Sequence, residues 1–189
     1  KVVFLASMHQ ADEDIALPAL AKEDFQDCLI IMALRHPHRG QEVRKKTISM
    51  GFNAVLYHKN QQFDNSVNMV IIDVFGLIGL GYKLADVSFI GGSFDRGGHN
   101  LLEATHFDTA IICGADMSNY QEIADEMIEK NALMQINNSD EFEQVLREIL
   151  IKNEKKLLEG LKLGAKTYIM ERRGVFNSYV TYIEGFIKS

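Results

Sequence analysis

Cysteine is scarce in this chain: Cys28 and Cys113 are the two thiols among 189 residues. So few, so far apart, they exclude a disulfide framework and a zinc site built on closely spaced thiolates. Each lies beside an apolar run, 29–33 and 110–112, and each is expected as a buried, reduced thiol. Positive charge is also in deficit. Lys and Arg number 20 against 26 acidic residues, a net charge of -6, which argues against nucleic acid as a primary partner. No apolar run approaches the roughly 18 residues a membrane-crossing helix needs, and no signal peptide is recognisable. The first residue, Lys1, already abuts the apolar run 2–6, so a domain taken from a longer chain is expected.

Several catalytic patterns are missing as well. No G-x-S-x-G elbow marks a hydrolase serine. Gly76-Leu-Ile-Gly-Leu-Gly81 has the order G-x-x-G-x-G, which is not a dinucleotide fingerprint, and no acidic residue closes the next strand in the usual place. Asp12-Glu-Asp14 is formally D-x-D, but it directly precedes Ile15 and reads as acid at a helix N-terminus. His36 and His38 flank Pro37 without the carboxylate or thiolate neighbours of a zinc site. No metal or other cofactor is expected.

What the chain does have is a hydrophobic content of 47%, enough for a full core. Short β-branched runs alternate with amphipathic segments, the pattern of a parallel sheet built from βαβ units. Strands are expected at 2–6, 29–34, 54–57, 69–72, 87–90, 110–113 and 132–136, and helices at 15–25, 40–50, 77–84, 100–106, 119–130 and 140–151. The fold class is α/β, a Rossmann-like parallel sheet flanked by helices, with ligands beyond the carboxyl ends of the strands. From 154 to 189 there is no strand, only helix, with a break expected near Arg172-Arg-Gly174. We therefore divide the chain into a ligand-binding unit, 1–153, and carboxyl-terminal helices, 154–189. An apolar stripe over Val175, Phe176, Tyr179, Val180, Ile183, Phe186 and Ile187 suits packing on the first unit or on a further domain.

The stretch GGSFDRGGHNLLEA, from Gly91 to Ala104, concentrates four glycines, an arginine, a histidine and an asparagine after a strand. Glycine admits positive φ and close approach, and a helix N-terminus offers unpaired N–H groups to an anion. Asn100 and Glu103 stand at capping-box spacing, predicting a helix start there. A phosphate on the N–H groups of Gly98, His99 and Asn100 would use all of these residues. Glu103 could then accept hydrogen bonds from a ribose diol.

This stretch, with LADVSFI before it, resembles the nucleotide-sugar signature of the 3-deoxy-manno-octulosonic acid (Kdo) transferases of lipopolysaccharide synthesis. ASMH at Ala6–His9, RHPHR at Arg35–Arg39, NYQEIADEM at Asn119–Met127 and RRGVF at Arg172–Phe176 agree in order. The resemblance spans essentially the whole chain. It implies the carboxyl-terminal half of a GT-B glycosyltransferase, a fold that needs no metal at the nucleotide. The donor it implies is CMP-Kdo, and the acceptor a lipid A precursor, engaged by an amino-terminal domain that also supplies the general base and the membrane contact. The full protein would then sit peripherally, or anchored, at the cytoplasmic face of the inner membrane. By the same resemblance Gly91, Gly92 and Ser93, with Gly97, Gly98, His99 and Asn100, hold the phosphate. Glu103 holds the ribose, and Arg35, with His36 and Pro37 in the same motif, faces phosphate or the Kdo carboxylate. Phe75, Gly76, Leu77 and Ile78 line the cytosine, and Asn119 belongs to a neighbouring loop.

The chain departs from the family at three places. Leu77 stands where members carry a glutamate, Leu101 replaces a proline, and Gly114-Ala-Asp-Met-Ser-Asn-Tyr120 keeps only Gly114 and Asn119 of its motif. No base is evident within these residues. The expectation is a chain that binds CMP or CMP-Kdo without turnover. The competing readings are a non-catalytic nucleotide-binding module and a UDP-sugar epimerase or transferase domain of GT-B shape.

Overall fold

The computed structural model describes residues 1–58, 62–152 and 155–187, with side chains described at 1–58, 62–152 and 156–172. Seven parallel strands form one sheet: β1 (Val2–Met8), β2 (Leu29–Leu34), β3 (Ala54–Leu56), β4 (Met69–Ile72), β5 (Val87–Ile90), β6 (Ala110–Cys113) and β7 (Met134–Gln135). Their order across the sheet is β3-β4-β2-β1-β5-β6-β7. The chain runs one way from β1 through β2 and then returns past β1 to β5. The topological switch point, where open α/β sheets open a crevice at the carboxyl ends, therefore lies between β1 and β5.

Both sheet faces are covered, which is why the strands read as continuous apolar runs rather than alternating ones. Within those runs the side chains still alternate. Val3, Leu5, Ile30, Met32, Val87 and Phe89 join one core cluster, packed by Leu17, Val43 and Phe142. Phe4, Ala6, Ile31, Ala33, Ile90 and Cys113 join the other, packed by Tyr82, Ala124 and Met127. The first cluster thus receives helices α1 (Gln10–Leu20), α2 (Gly40–Ser49) and α5 (Ser139–Leu146), and the second receives α3 (Ile78–Leu84) and α4 (Gln121–Glu129). Cys28 and Cys113 are free and buried, and burial pushes the Cys113 thiol up to about 12.

After α5 a π-helical turn, Arg147–Ile151, leads towards the last helix, α6 (Lys155–Ile187). This helix is continuous, so the break expected at Arg172-Arg-Gly174 does not occur. A glycine costs a helix only about 1 kcal/mol, too little to end one without a cap. Near β7, the edge strand, Leu158 and Leu161 of α6 enter the first cluster while Ala165 and Tyr168 enter the second. The stripe from Val175 to Ile187 lies outside the described side chains.

Candidate functional site

Four strand ends meet at the switch point. The end of β1 is distorted: its register against β2 shifts between Leu5 and Met8, and Ser7 has φ of +56°. A bulge of this kind re-aims the residues that follow, here Met8 and His9. His9 caps α1, and Asp12, three residues into that helix, accepts its N–H at 2.9 Å. The same carboxylate accepts the N–H of Gly92 at 2.7 Å and that of Ser93 at 3.2 Å, and Asp12 is fully buried.

This corrects the first part of the expected phosphate cradle. The N–H of Gly91 bonds to the Ala6 carbonyl, and those of Gly92 and Ser93 are held by Asp12. Ser93 Oγ donates to Ile90 O and accepts from the Gly114 N–H, both at 2.7 Å. All three residues are buried and their polar groups committed, so they shape the site and offer nothing to a phosphate. Asp12 is an internal anion in that place, which its position at a helix start did not by itself reveal.

The second part changes too. No α-helix begins at Asn100; Asn100 Oδ1 accepts from the Leu102 N–H at 3.0 Å, an Asx turn, and only a 3₁₀ turn at Ala104–His106 follows. An Asx turn and a helix cap use the same side-chain oxygen, and here the turn wins. The Gly97-Gly98 pair has a structural purpose. Both residues have positive φ, +73° and +78°, and a β-carbon on Gly98 would overlap the Met117 side chain. Gly97 N–H donates to Asp116 at 2.9 Å and Gly98 N–H to Gly92 O at 2.8 Å. What remains for a ligand is the pair His99 and Asn100, half-buried and exposed, whose N–H groups meet no acceptor among the described residues, while Leu101 after them is buried in the core.

Around those amides stand the basic groups. His9 Nε2 lies 3.1 Å from His99 Nε2, and the two rings meet end to end with nearly parallel planes, their centroids 5.2 Å apart. His36 meets His9 edge-on at 5.2 Å, and His38 is tilted against His36 at 5.8 Å. Burial, with His99 and His36 adding repulsion, lowers His9 to about 4, so it is neutral near pH 7. His99 is lowered by burial and then by Arg35. Arg35 itself is exposed, and its N–H is anchored on Met8 O at 3.1 Å. Pro37 opens a 3₁₀ turn, Pro37–Arg39, and Arg39 fixes it by donating to the fully buried Glu13 at 2.6 and 3.2 Å. Glu13 and Arg39 were not singled out by sequence patterning; an acid one residue beyond Asp12, on a helix otherwise facing the core, was the available signal.

Between the ends of β1, β2 and β4 lies a cavity of about 210 Å³ lined by Ser7, Ala33, Arg35, Ile72, Phe75, Gly76 and Ile78. Arg35, Phe75, Gly76 and Ile78 are thus brought together, while Leu77 sits beside them at the start of α3. Phe75 is 76% exposed, an open aromatic face beside a polar rim. Glu103 is exposed and lies near enough to Tyr82 to help burial hold its phenol protonated. Asn119 is a clamp on the glycine loop: its side chain donates to Arg96 O at 2.7 Å and its N–H to Gly97 O at 2.9 Å. Among the described residues no group of three or more His, Cys, Asp or Glu side chains is arranged to hold a metal ion, and no helix is long and apolar enough to cross a membrane.

No protein-family profile matches the chain. Curated proteins do. The chain is 35% identical, over 99% of its length, to the 3-deoxy-D-manno-octulosonic acid transferase of Rickettsia typhi, and 36% identical to that of Rickettsia conorii. It is 26% identical over 97% of its length to the Haemophilus influenzae transferase. It spans about two-fifths of these relatives, 41% to 43% of each. Among solved structures, the C-terminal CMP-Kdo binding domain of WaaA from Acinetobacter baumannii superposes with a TM-score of 0.80 at 28% identity, covering 89% of each chain. The chain is thus homologous to the 3-deoxy-D-manno-octulosonic acid transferases and has the fold of their C-terminal domain.

Proposed function

We propose that this chain is the donor-binding unit of an inverting glycosyltransferase that moves Kdo from CMP-Kdo to a lipid A precursor. The observation that carries the reading is the convergence, at one switch point, of Arg35, the histidines and the two free N–H groups of His99 and Asn100 beside an aromatic-rimmed cavity. Cytosine would lie in the cavity against Phe75, Gly76 and Ile78, with Leu77 at its margin. Phosphate would take the N–H groups of His99 and Asn100, and Arg35 would face phosphate or the sugar carboxylate. Glu103 would take the ribose hydroxyls. The transferase names of the relatives, and the CMP-Kdo binding ascribed to the Acinetobacter domain, support a CMP-sugar in this cleft.

The transfer passes through an oxocarbenium-like state in which charge grows on the departing phosphate. Fixed N–H donors and a guanidinium stabilise that charge more than they stabilise the bound donor, and losing one such donor commonly costs about 3 kcal/mol of barrier. The acceptor, the general base and the contact with the inner membrane belong, in this proposal, to the remainder of the full-length enzyme. The unit 1–153 would carry the donor and 154–189 would bridge towards that remainder.

Calorimetric titration with CMP, UMP and AMP tests the reading. A preference for CMP that weakens about tenfold or more in Arg35→Ala and in Glu103→Ala is expected. Tighter binding of UMP or AMP would discard the Kdo donor, and binding of no nucleotide would discard the cleft.

A further inference from the structure

The paired histidines have a geometry that the donor reading alone does not require. His9 ends β1 and His99 ends the glycine turn after β5, so they come from opposite sides of the switch point and meet Nε2 to Nε2 at 3.1 Å. At that distance one nitrogen donates and the other accepts. In the neutral pair the donor ring then has a bare Nδ1 and the acceptor ring an Nδ1–H. Adding one proton leaves the central hydrogen bond intact and puts a proton on both Nδ1 atoms. A second proton would set two Nε2–H groups head to head, so the pair can hold one extra proton and no more.

We propose that His9 and His99 act as a single proton-binding pair, and that a phosphodiester entering the cleft is bound with uptake of one proton by that pair. The proposal rests on the donor-site reading above. Around the pair, His36 packs edge-on against His9, with His38 behind it, and Arg35 bears on His99. From the loop after β5, Asp95 and Arg96 act on His9 in opposite directions, and Asp12 on α1 is held by the three backbone N–H groups of His9, Gly92 and Ser93. With the cleft free of anion, burial first, and then Arg96 beside His9 and Arg35 beside His99, keep both imidazoles neutral near pH 7. An anion beside His99 reverses the local balance and favours the charged pair. The site thereby gains a positive charge and a second Nδ1–H donor only when a ligand is there to face them, and carries no standing desolvation cost for a buried imidazolium.

The test uses cytidine 5′-(methyl phosphate), a phosphodiester whose charge does not change near neutrality, because the second ionisation of a phosphate monoester at about pH 6 would mask the effect. Calorimetry from pH 8 to 5.5 in buffers of different ionisation enthalpy counts the protons. Uptake approaching one, with affinity rising up to about tenfold per pH unit as the pH falls, is expected for the native chain. His9→Phe and His99→Gln should bind with flat pH profiles, and His36→Asn should keep the slope. Long-range proton–nitrogen spectra of the ligand-free chain should show His9 and His99 neutral at pH 7 with complementary tautomers. Two rings of the same tautomer, or uptake that survives in His99→Gln, would overturn the pair. Tight binding with no proton uptake would overturn it and leave the donor reading standing. Failure to bind the cytidine ester would remove the donor reading and the coupling together.

Discussion

Asp12 starts a helix and also ties down the turn after β5. Its carboxylate holds three N–H groups from two parts of the chain at 2.7 to 3.2 Å with no exposure to solvent. Asp12→Asn keeps the shape but turns an NH₂ towards at least one of those donors, leaving a buried amide unpaired at about 1–3 kcal/mol. Urea unfolding should show that loss, and the variant should bind nucleotide more weakly because Gly92 and its neighbours are freed. His9 is tested by pH. Its folded value of about 4 lies below the ordinary 6.5, so folding favours the neutral ring. That contribution is complete above about pH 6.5 and disappears as the pH falls towards 4, because there the unfolded chain binds the proton first. Solvent screening at this half-buried ring limits the loss to about 1 kcal/mol. Melting temperatures over pH 7 to 4 should fall more steeply for the native chain than for His9→Phe; parallel curves would refute the assignment.

At the scale of elements, α6 makes an unusually close contact through Gly164. A β-carbon there would overlap the Asn131 carbonyl in the turn between α4 and β7, whereas one on Gly160, a turn earlier, would meet nothing. Gly→Ala in a helix ordinarily stabilises by up to about 1 kcal/mol, which is expected for Gly160→Ala. Gly164→Ala should instead destabilise by about 1–3 kcal/mol, since the backbone must move. Equal and favourable effects at both would mean that α6 is not seated on that turn. The same elements show what a sequence can and cannot disclose. Every strand was legible to within two residues at each end, including β7, which is shorter than its apolar run, because buried parallel strands are apolar on both faces and bounded by turns. Helix α1 begins at Gln10, not 15, because Asp12, Glu13 and Asp14 are its first turn and not a prelude to it. The missing helix at 100–106 had cap residues but no apolar repeat behind them, so nothing opposed the Asx turn. Of the candidate site, Arg35, Phe75, Gly76 and Ile78, grouped by the motif, do line one cavity, which leaves their part in binding a ligand as a proposal. The roles of Gly92, Ser93 and Asn119 could not be read from the motif, since they depend on Asp12 and Arg96, partners separated in sequence by at least 23 residues.

Across the whole molecule, the strand order makes the two ends of the sheet inequivalent. Every parallel strand delivers its carboxyl end to one edge, and the reversal between β1 and β5 leaves that edge without a crossing connection at one point only. The bulge at Ser7, the histidine pair, Arg35 and the cavity at Phe75 all lie on that edge. The opposite edge carries the turns into the strands, such as Asp86, whose carboxylate accepts the Val2 N–H at 2.9 Å, and Asn53 bonded to Asn68. Hydrogen exchange should therefore respond to nucleotide asymmetrically. Addition of CMP should slow exchange at residues 7–9, 35–39, 75–78 and 98–103, above all at His99 and Asn100, whose N–H groups would gain an acceptor. Residues 52–54, 66–68 and 84–86 should not change. Protection centred instead on the turns at the amino ends, or spread evenly over both edges, would place the ligand elsewhere and break the link between sheet topology and function. Protection of 98–103 without any at 75–78 would keep the phosphate contacts and remove the base from the Phe75 cavity, so the two halves of the donor site are tested separately by one experiment.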